Sequence, residues 1–194
     1  MKETFLGFSA VKVDIVTQKF LKKIATANVM EVIENVNGVQ KQINCGVCGT
    51  NDIHINGMEG PYTLVLINSM PIMSSLSSVY GLNGIPTYLI KQIEIIKGPS
   101  STLYGTEAVA GIINILTKDA LDVSTFEFEG FITSHLEKNI DFAFAPKMQK
   151  VDILISGNYF NMDNFLDDNK DNFTDIPFSE RLSLFNQWNF KRIS

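Results

Sequence analysis

The sequence predicts an α+β domain, a small mixed sheet with short helices, over residues 11–120, followed over residues 121–194 by an incomplete set of antiparallel strands. Three observations lead there. First, Leu64-Val65-Leu66-Ile67, Ile93-Glu94-Ile95-Ile96 and Ile112-Ile113-Asn114-Ile115-Leu116 are apolar runs of strand length. They are rich in β-branched residues and bounded by Gly, Pro, Ser and Asn, which favours buried strands over helices. Second, apolar residues recur at helical spacing only near the start, at Phe20, Leu21 and Ile24 and again at Val29, Val32, Ile33 and Val36. Third, from Ser124 onward the pattern changes to a period of two.

In chain order, Val11 to Val16 alternates and reads as a strand. Thr17 is placed to cap a helix from Gln18 to about Ala25, and Asn28 to cap a second from Val29 to Glu34, ended by Asn37-Gly38. Val39 to Ile43 and Ile53 to Asn56 are strands. Leu64 to Ile67 and Ile93 to Ile96 complete a small mixed sheet, with Ile112 to Thr117 its last strand. Lys97-Gly98-Pro99-Ser100-Ser101 must turn, because Gly frees φ and Pro removes a donor.

The C-terminal third alternates in four segments. They are Phe126 to Ile132, Ile140 to Phe144, Val151 to Tyr159 and Leu182 to Phe190. Most of the 14 Phe and the single Trp lie here. Apolar-out, polar-in strands carrying aromatics are what a transmembrane β-barrel requires, because every backbone group must be paired within lipid. Four strands cannot close: the smallest single-chain bacterial barrels have about eight.

Composition narrows the function classes. The chain has 194 residues, 45% of them hydrophobic, with a net charge of -5 and a pI near 5.0. No basic run interleaved with aromatics is present, which argues against a nucleic-acid partner. No apolar run is long enough for a transmembrane helix, and that leaves β-strand spans open. Catalytic motifs are missing: there is no Gly-x-Ser-x-Gly elbow, no His-Glu-x-x-His and no P-loop. His54 and His135 stand far apart without an evident Ser or Cys partner.

Several spaced motifs carry a family resemblance. KQIEIIKGPSSTLYGTEAVAGIINILTK, from Lys91, is similar to the closing motif of the plug domain in TonB-dependent outer-membrane receptors. YTLVLINSMPI resembles that family's earlier strand and turn, and VMEVIENVNGVQ the helix and turn that open the plug. The resemblance covers roughly Val11 to Asp119 in the right order. Two departures stand out: Asn68-Ser69 replaces the usual Asp-Gly, and His54-Ile55-Asn56-Gly57 replaces the usual Arg-Gly-bearing strand. No role of the family's Asp or Arg carries over.

The resemblance implies a plug over 11–120 after an N-terminal remnant, 1–10, and the first strands of a 22-stranded barrel over 121–194. It implies the cell outer membrane, ligand-gated active uptake of a metal chelate (siderophore-iron, haem, cobalamin or similar), and three partners. These are that chelate, outer-membrane lipid, and a TonB-type energy-transducing protein of the inner membrane. No cofactor is required. Met1-Lys2-Glu3 opens no export signal, so the expectation is a fragment missing its front end and cut short at Ser194. The rival readings are a plug-like binding or adhesion module without transport, a small soluble β-sheet packed on the first domain, and, weakest, a redox enzyme built on Cys45 and Cys48.

Two candidate sites follow. In the resembling family the loops at the plug's outward tip meet the ligand, and Asn44 to Asp52 and Met73 to Gly84 are the loops best placed for that. The candidate contacts are Asn44, Cys45, Cys48, Thr50, Asn51, His54, Met73, Ser74 and Tyr80. Cys45-Gly46-Val47-Cys48 has three chemical readings: a small disulfide loop, soft thiolate contacts to a metal with His54 near, or a redox pair lacking its βαβ setting. Met58, Met70 and Met73 add soft side chains that are more often core filler. Further on, Asp167, Asn169, Asp171 and Asp175 fall at positions 1, 3, 5 and 9 of an EF-hand-like loop and make a calcium candidate within 167–175. Phe178 stands where the closing Glu belongs, and the alternative is a solvated acidic loop.

Overall fold

The computed structural model describes residues 13–24, 26–45, 50–72, 82, 85–99, 105, 108–170 and 172–191, with only the backbone described at Asn44, Cys45 and Thr50. The first strand, β1 (Val13–Thr17), runs directly into a one-turn helix, α1 (Gln18–Leu21). That helix is shorter than its periodicity predicts. Beyond Leu21 the bonds tighten to Lys23 N–H on the Phe20 carbonyl and Ile24 N–H on the Leu21 carbonyl. The Thr26 hydroxyl then binds the Glu31 carboxylate and accepts the Asn28 N–H, offering the backbone a turn in place of further helix. Thr17 makes no capping bond, against expectation, because it is still paired in the strand opposite Gln92. Asn28 does cap α2 (Val29–Ile33), its side-chain oxygen accepting the Met30 N–H at 2.9 Å.

Among the described residues, β2 (Val39–Cys45) and β3 (Thr50–Ile55) pair only with each other as an antiparallel hairpin, outside the main sheet to which their sequence assigned them. The reason is packing: Val39, Ile53 and Ile55 bury on one side and lay the hairpin over the core with α2. The main sheet has the order β1-β6-β7-β4-β5, adding β4 (Thr63–Ile67), β5 (Met70–Pro71), β6 (Ile90–Lys97) and β7 (Gly111–Thr117). β4 and β7 run parallel and the other pairs antiparallel, so the sheet is mixed as predicted. One face, with Val16, Val65, Ile93, Ile95, Ile113 and Ile115, packs against Val29, Met30, Val32 and Ile33 of α2. On the other, Leu64, Leu66 and Ile112 gather around Ala108. Burial on both faces is why the central strands read as unbroken apolar runs.

The β4–β5 turn is built from Asn68 and Ser69, both left-handed at φ 51° and 66°, as a type I′ hairpin requires. Asn68 compensates by extending the sheet with its side chain. Its Oδ1 accepts the Thr117 N–H at 2.9 Å and its Nδ2 donates to the Thr117 hydroxyl at 2.8 Å. Ser69 N–H donates to Asn114 Oδ1 at 3.0 Å.

β8 (Phe126–Ile132), β9 (Lys138–Phe144), β10 (Val151–Met162) and β11 (Ser179–Phe190) form a separate antiparallel meander in chain order. One face carries Phe126, Phe128, Phe142, Phe144, Ile155, Leu182, Leu184 and Trp188, all substantially exposed. The Phe142 ring covers Gly157 on the paired strand, where a Cβ would collide with it. The opposite face carries Asn139, Asp141, Ser156 and Asn158, all buried. Polar groups on the covered face and aromatics on the open face invert the arrangement of a water-soluble sheet. They suit a wall with lipid outside.

Candidate functional site

The predicted tip residues divide between described and undescribed parts of the chain. β2 and β3 extend into the segment expected as a loop, so Asn44, Cys45, Thr50 and Asn51 are strand residues at one end of the hairpin. Cys45 pairs with Thr50 and Ile43 with Asn51, past a register shift between Ile43 and Cys45. His54 lies farther down the same hairpin, opposite Gln40. Cys48, Met73, Ser74 and Tyr80 lie outside the described residues. Of the Met candidates, Met58 and Met70 are exposed. In the acidic loop, Asp167 accepts the Asn172 N–H at 2.9 Å and Asp175 the Asp168 N–H at 2.7 Å. Asp171 is outside the described residues.

The chemistry that sequence reasoning missed lies where the N-terminal domain meets the inner face of the β8–β11 sheet. Pro86 directs a 3-10 turn, Thr87–Leu89, that buries Tyr88 and Leu89 against Ala120, Val123, Ala143, Ala145 and Leu154. The Tyr88 hydroxyl donates to Glu127 Oε2 at 2.5 Å, and Ser124 N–H to Glu127 Oε1 at 2.8 Å. Lys118, 4% exposed, lays its ammonium over the Tyr88 ring, 3.8 Å from the centroid. Burial pulls the Lys118 ammonium below the ordinary lysine range, and the carboxylates of Glu127, Glu129 and Asp141 oppose that shift. Burial first, then the Glu127 carboxylate, hold the Tyr88 hydroxyl well above the ordinary tyrosine range.

The linker from Lys118 to Ser124 is pinned on both sides. Lys118 N–H donates to the Leu89 carbonyl at 2.7 Å, Lys91 pairs with Asp122 at 3.0 Å, and Gln187 Nε2 donates to Asp119 Oδ1 at 2.8 Å. Burial raises the Asp122 carboxyl, but the Asp119 N–H and Lys91 outweigh it and leave the group below its ordinary value. Beside this junction lies a cavity of about 140 Å³, between α1 and strands β8 and β9. Lys22 and Lys118 line it from one side and Glu129 and Asp141 from the other. Leu21, Ile24 and Phe131 line it as well, so those four charges are set in a largely apolar wall. The domain is packed continuously at its C-terminal junction, while beside its first helix the cavity interrupts the packing.

A protein-family model described as the TonB-dependent receptor plug domain matches residues 8–112. The chain belongs to that family. The sheet of β8–β11 is then the first part of the barrel wall around the plug. The chain is 28% identical over 105 residues to the vitamin B12 transporter BtuB of Vibrio vulnificus strain YJ016, covering 54% of this chain and 17% of that transporter. BtuB of Vibrio cholerae matches at 28% over 106 residues, again 17% of its length. The chain therefore spans about a sixth of the curated relatives it matches. Among solved structures, the siderophore receptor PirA from Pseudomonas aeruginosa aligns with a TM-score of 0.65 at 20% identity, over 92% of this chain and 32% of that one. That overlap reaches well past the plug and shows that the wall strands share the fold. A ferric enterobactin receptor, PfeA from Pseudomonas aeruginosa, aligns at 0.66 and 25% identity, over 82% of this chain and 26% of that one. The protein is an outer-membrane protein of a receptor family, not of an enzyme family.

The plug–wall contacts had a faint sequence signal. Tyr88 and Lys118 each flank a strand of the closing motif, and Glu127 sits at a polar-in position of the first wall strand. Nothing local to those three positions says that they meet.

Proposed function

We propose that this chain forms the plug and first wall strands of a receptor for ligand-gated active uptake across the outer membrane. The observation that carries the reading is the succession, in one chain, of a plug domain and a sheet with a polar inner face gripping it and an apolar outer face. The cargo class is a metal chelate: siderophore-iron, haem, cobalamin or similar. Ligand meets the end of the β2–β3 hairpin, Asn44, Cys45, Cys48, Thr50 and Asn51, with His54 below it, and the 73–80 segment with Met73, Ser74 and Tyr80. A TonB-type protein supplies energy from the inner membrane. The resemblance to BtuB and PfeA supports the class without choosing the compound.

The test is accumulation of radiolabelled cobalamin, haem and a panel of ferric siderophores by cells whose full-length receptor gene is present or deleted, with and without a proton-motive force. Energy-dependent accumulation of one of them, lost on deletion, is expected. Surface retention without accumulation would replace uptake by a plug-like binding or adhesion module. Replacing Cys45 and Cys48 together by Ser tests the thiols: unchanged uptake of every cargo ends their assigned role.

A further inference from the structure

The inner face of the wall carries a buried polar network that strand pairing does not require. Asn139 and Asp141 on β9 and Asn158 on β10 are 2–3% exposed. Asn139 Nδ2 donates to Asp141 Oδ2 at 2.6 Å, and Asn158 Nδ2 donates to Asn139 Oδ1 and to Asp141 Oδ1, both at 2.8 Å. Arg181, on the neighbouring β11, closes the row. Its Nη2 donates to Asn158 Oδ1 at 3.3 Å, and its guanidinium lies over the Phe160 ring, 5.4 Å from the centroid. The same Nη2 donates to the main-chain carbonyl of Ala27 at 3.1 Å.

Burying polar groups is unfavourable unless each finds a partner, and long arginine side chains lose much rotamer freedom when fixed. What the network achieves is to hold one arginine in one place, aimed across the interface. The receiving end is equally fixed. Ala27 sits in the link between α1 and α2, where the Thr87 hydroxyl donates to the Thr26 carbonyl at 2.9 Å and Asn28 caps α2. The two fixed ends meet at Ala27, 154 positions from Arg181 in sequence.

We propose that Arg181 is a positioning residue by which the wall sets the resting place of the plug's α1–α2 link. The bond from its guanidinium to the Ala27 carbonyl ties the early part of the plug to β11, next to the bond from the Thr87 hydroxyl to the Thr26 carbonyl. The inference rests on the reading of the chain as a plug within its wall. It does not depend on which ligand is carried, or on transport at all.

The experiment is hydrogen exchange, read by mass spectrometry, on the full-length receptor in detergent without ligand. In Arg181→Ala, peptides over 22–36 should exchange about tenfold faster, the size expected for one charge-assisted bond. Peptides over 88–97 and 138–162 should not change. Arg181→Lys, which retains a donor but not the planar fork, should recover part of the protection. Unchanged exchange over 22–36 overturns the proposal. So does equal loosening of the wall strands, which would make Arg181 a support of the sheet alone. Should Arg181→Ala fail to assemble, Arg181→Met keeps the aliphatic stem and removes the donor, and the same region must loosen. A transporting receptor with unchanged exchange refutes the positioning role only. A receptor that shows the exchange change but accumulates no cargo refutes the uptake reading only.

Discussion

Asn68 offers the sharpest test of the turn that departs from the family pattern. Its side chain supplies the acceptor for the Thr117 N–H at 2.9 Å, and Thr117 is 7% exposed, so no water can replace it freely. In Asn68→Ala that buried amide loses its partner, an effect of about 1–3 kcal/mol. Alanine is also forced to a φ near 51°, adding roughly 1 kcal/mol that asparagine largely escapes. The sum, about 2–4 kcal/mol, corresponds to at least about 30-fold more frequent opening of the β4–β5 hairpin and the end of β7. Hydrogen exchange of peptides over 64–71 and 111–118 in the full-length receptor reads that opening directly. Asn68→Asp keeps the acceptor and the tolerance for a left-handed turn, and the Thr117 hydroxyl can rotate to donate, so its exchange should stay within about threefold of the parent. Unchanged exchange in Asn68→Ala, or Asp exchanging as fast as Ala, would refute this account of the turn.

The junction yields predictions of opposite sign around pH 10. Tyr88 has its folded pKa raised, so its contribution is complete below the ordinary tyrosine value near 10 and is lost as pH climbs above it. Tyr88→Phe should flatten the loss of stability above pH 10 and lower stability by about 1–2 kcal/mol through loss of the Glu127 bond. Lys118 has its folded pKa lowered, so between that value and 10.5 the unfolded chain binds more protons and stability rises with pH. Lys118→Met should flatten that rise in calorimetric melting temperature, and an undiminished slope would show that another group sets it. Gly111→Ala should destabilise by about 2 kcal/mol or more, since φ is +157° and a Cβ would strike the Ile96 carbonyl oxygen, which is backbone and cannot yield. A denaturant midpoint equal to the parent's would contradict that.

Much of this molecule was legible because its signals are local. Asn28 capping α2, the left-handed Gly38 after it, and the apolar runs of β4, β6 and β7 follow from residues within a few positions of one another. The wall strands announced themselves by alternation, because lipid outside and polar groups inside leave no other pattern. The failures were long-range. α1 stopped after one turn because the Thr26 hydroxyl had a better use at Glu31 and Asn28. β2 and β3 left the main sheet because their apolar sides were needed over α2, a demand of packing that propensity does not contain. The site fared worst of all. The tip residues came from likeness to a family, whereas Tyr88, Lys118, Glu127 and Arg181 acquire meaning only once residues far apart in sequence touch.

The interface also explains how one plug can be both retained and releasable. An apolar seam binds without direction and separates only by exposing its whole area to water. Here the apolar seam is confined to the C-terminal junction, around Tyr88, Leu89, Ala120 and Val123. Beside α1 the surfaces are separated by the cavity, where Lys22, Lys118, Glu129 and Asp141 stand among Leu21, Ile24 and Phe131. Polar contacts exchanged for water cost little on separation, because each group is solvated again. If the plug moves within its wall, α1 should therefore part from β8 and β9 before β6 and β7 do, while the Arg181 bond retains the link to α2. Spin labels at Lys19 and Glu129 would widen first on addition of cargo, while a pair at Lys91 and Asp119 would hold its distance; the reverse order would mean that the seam, not the cavity, is the weak side.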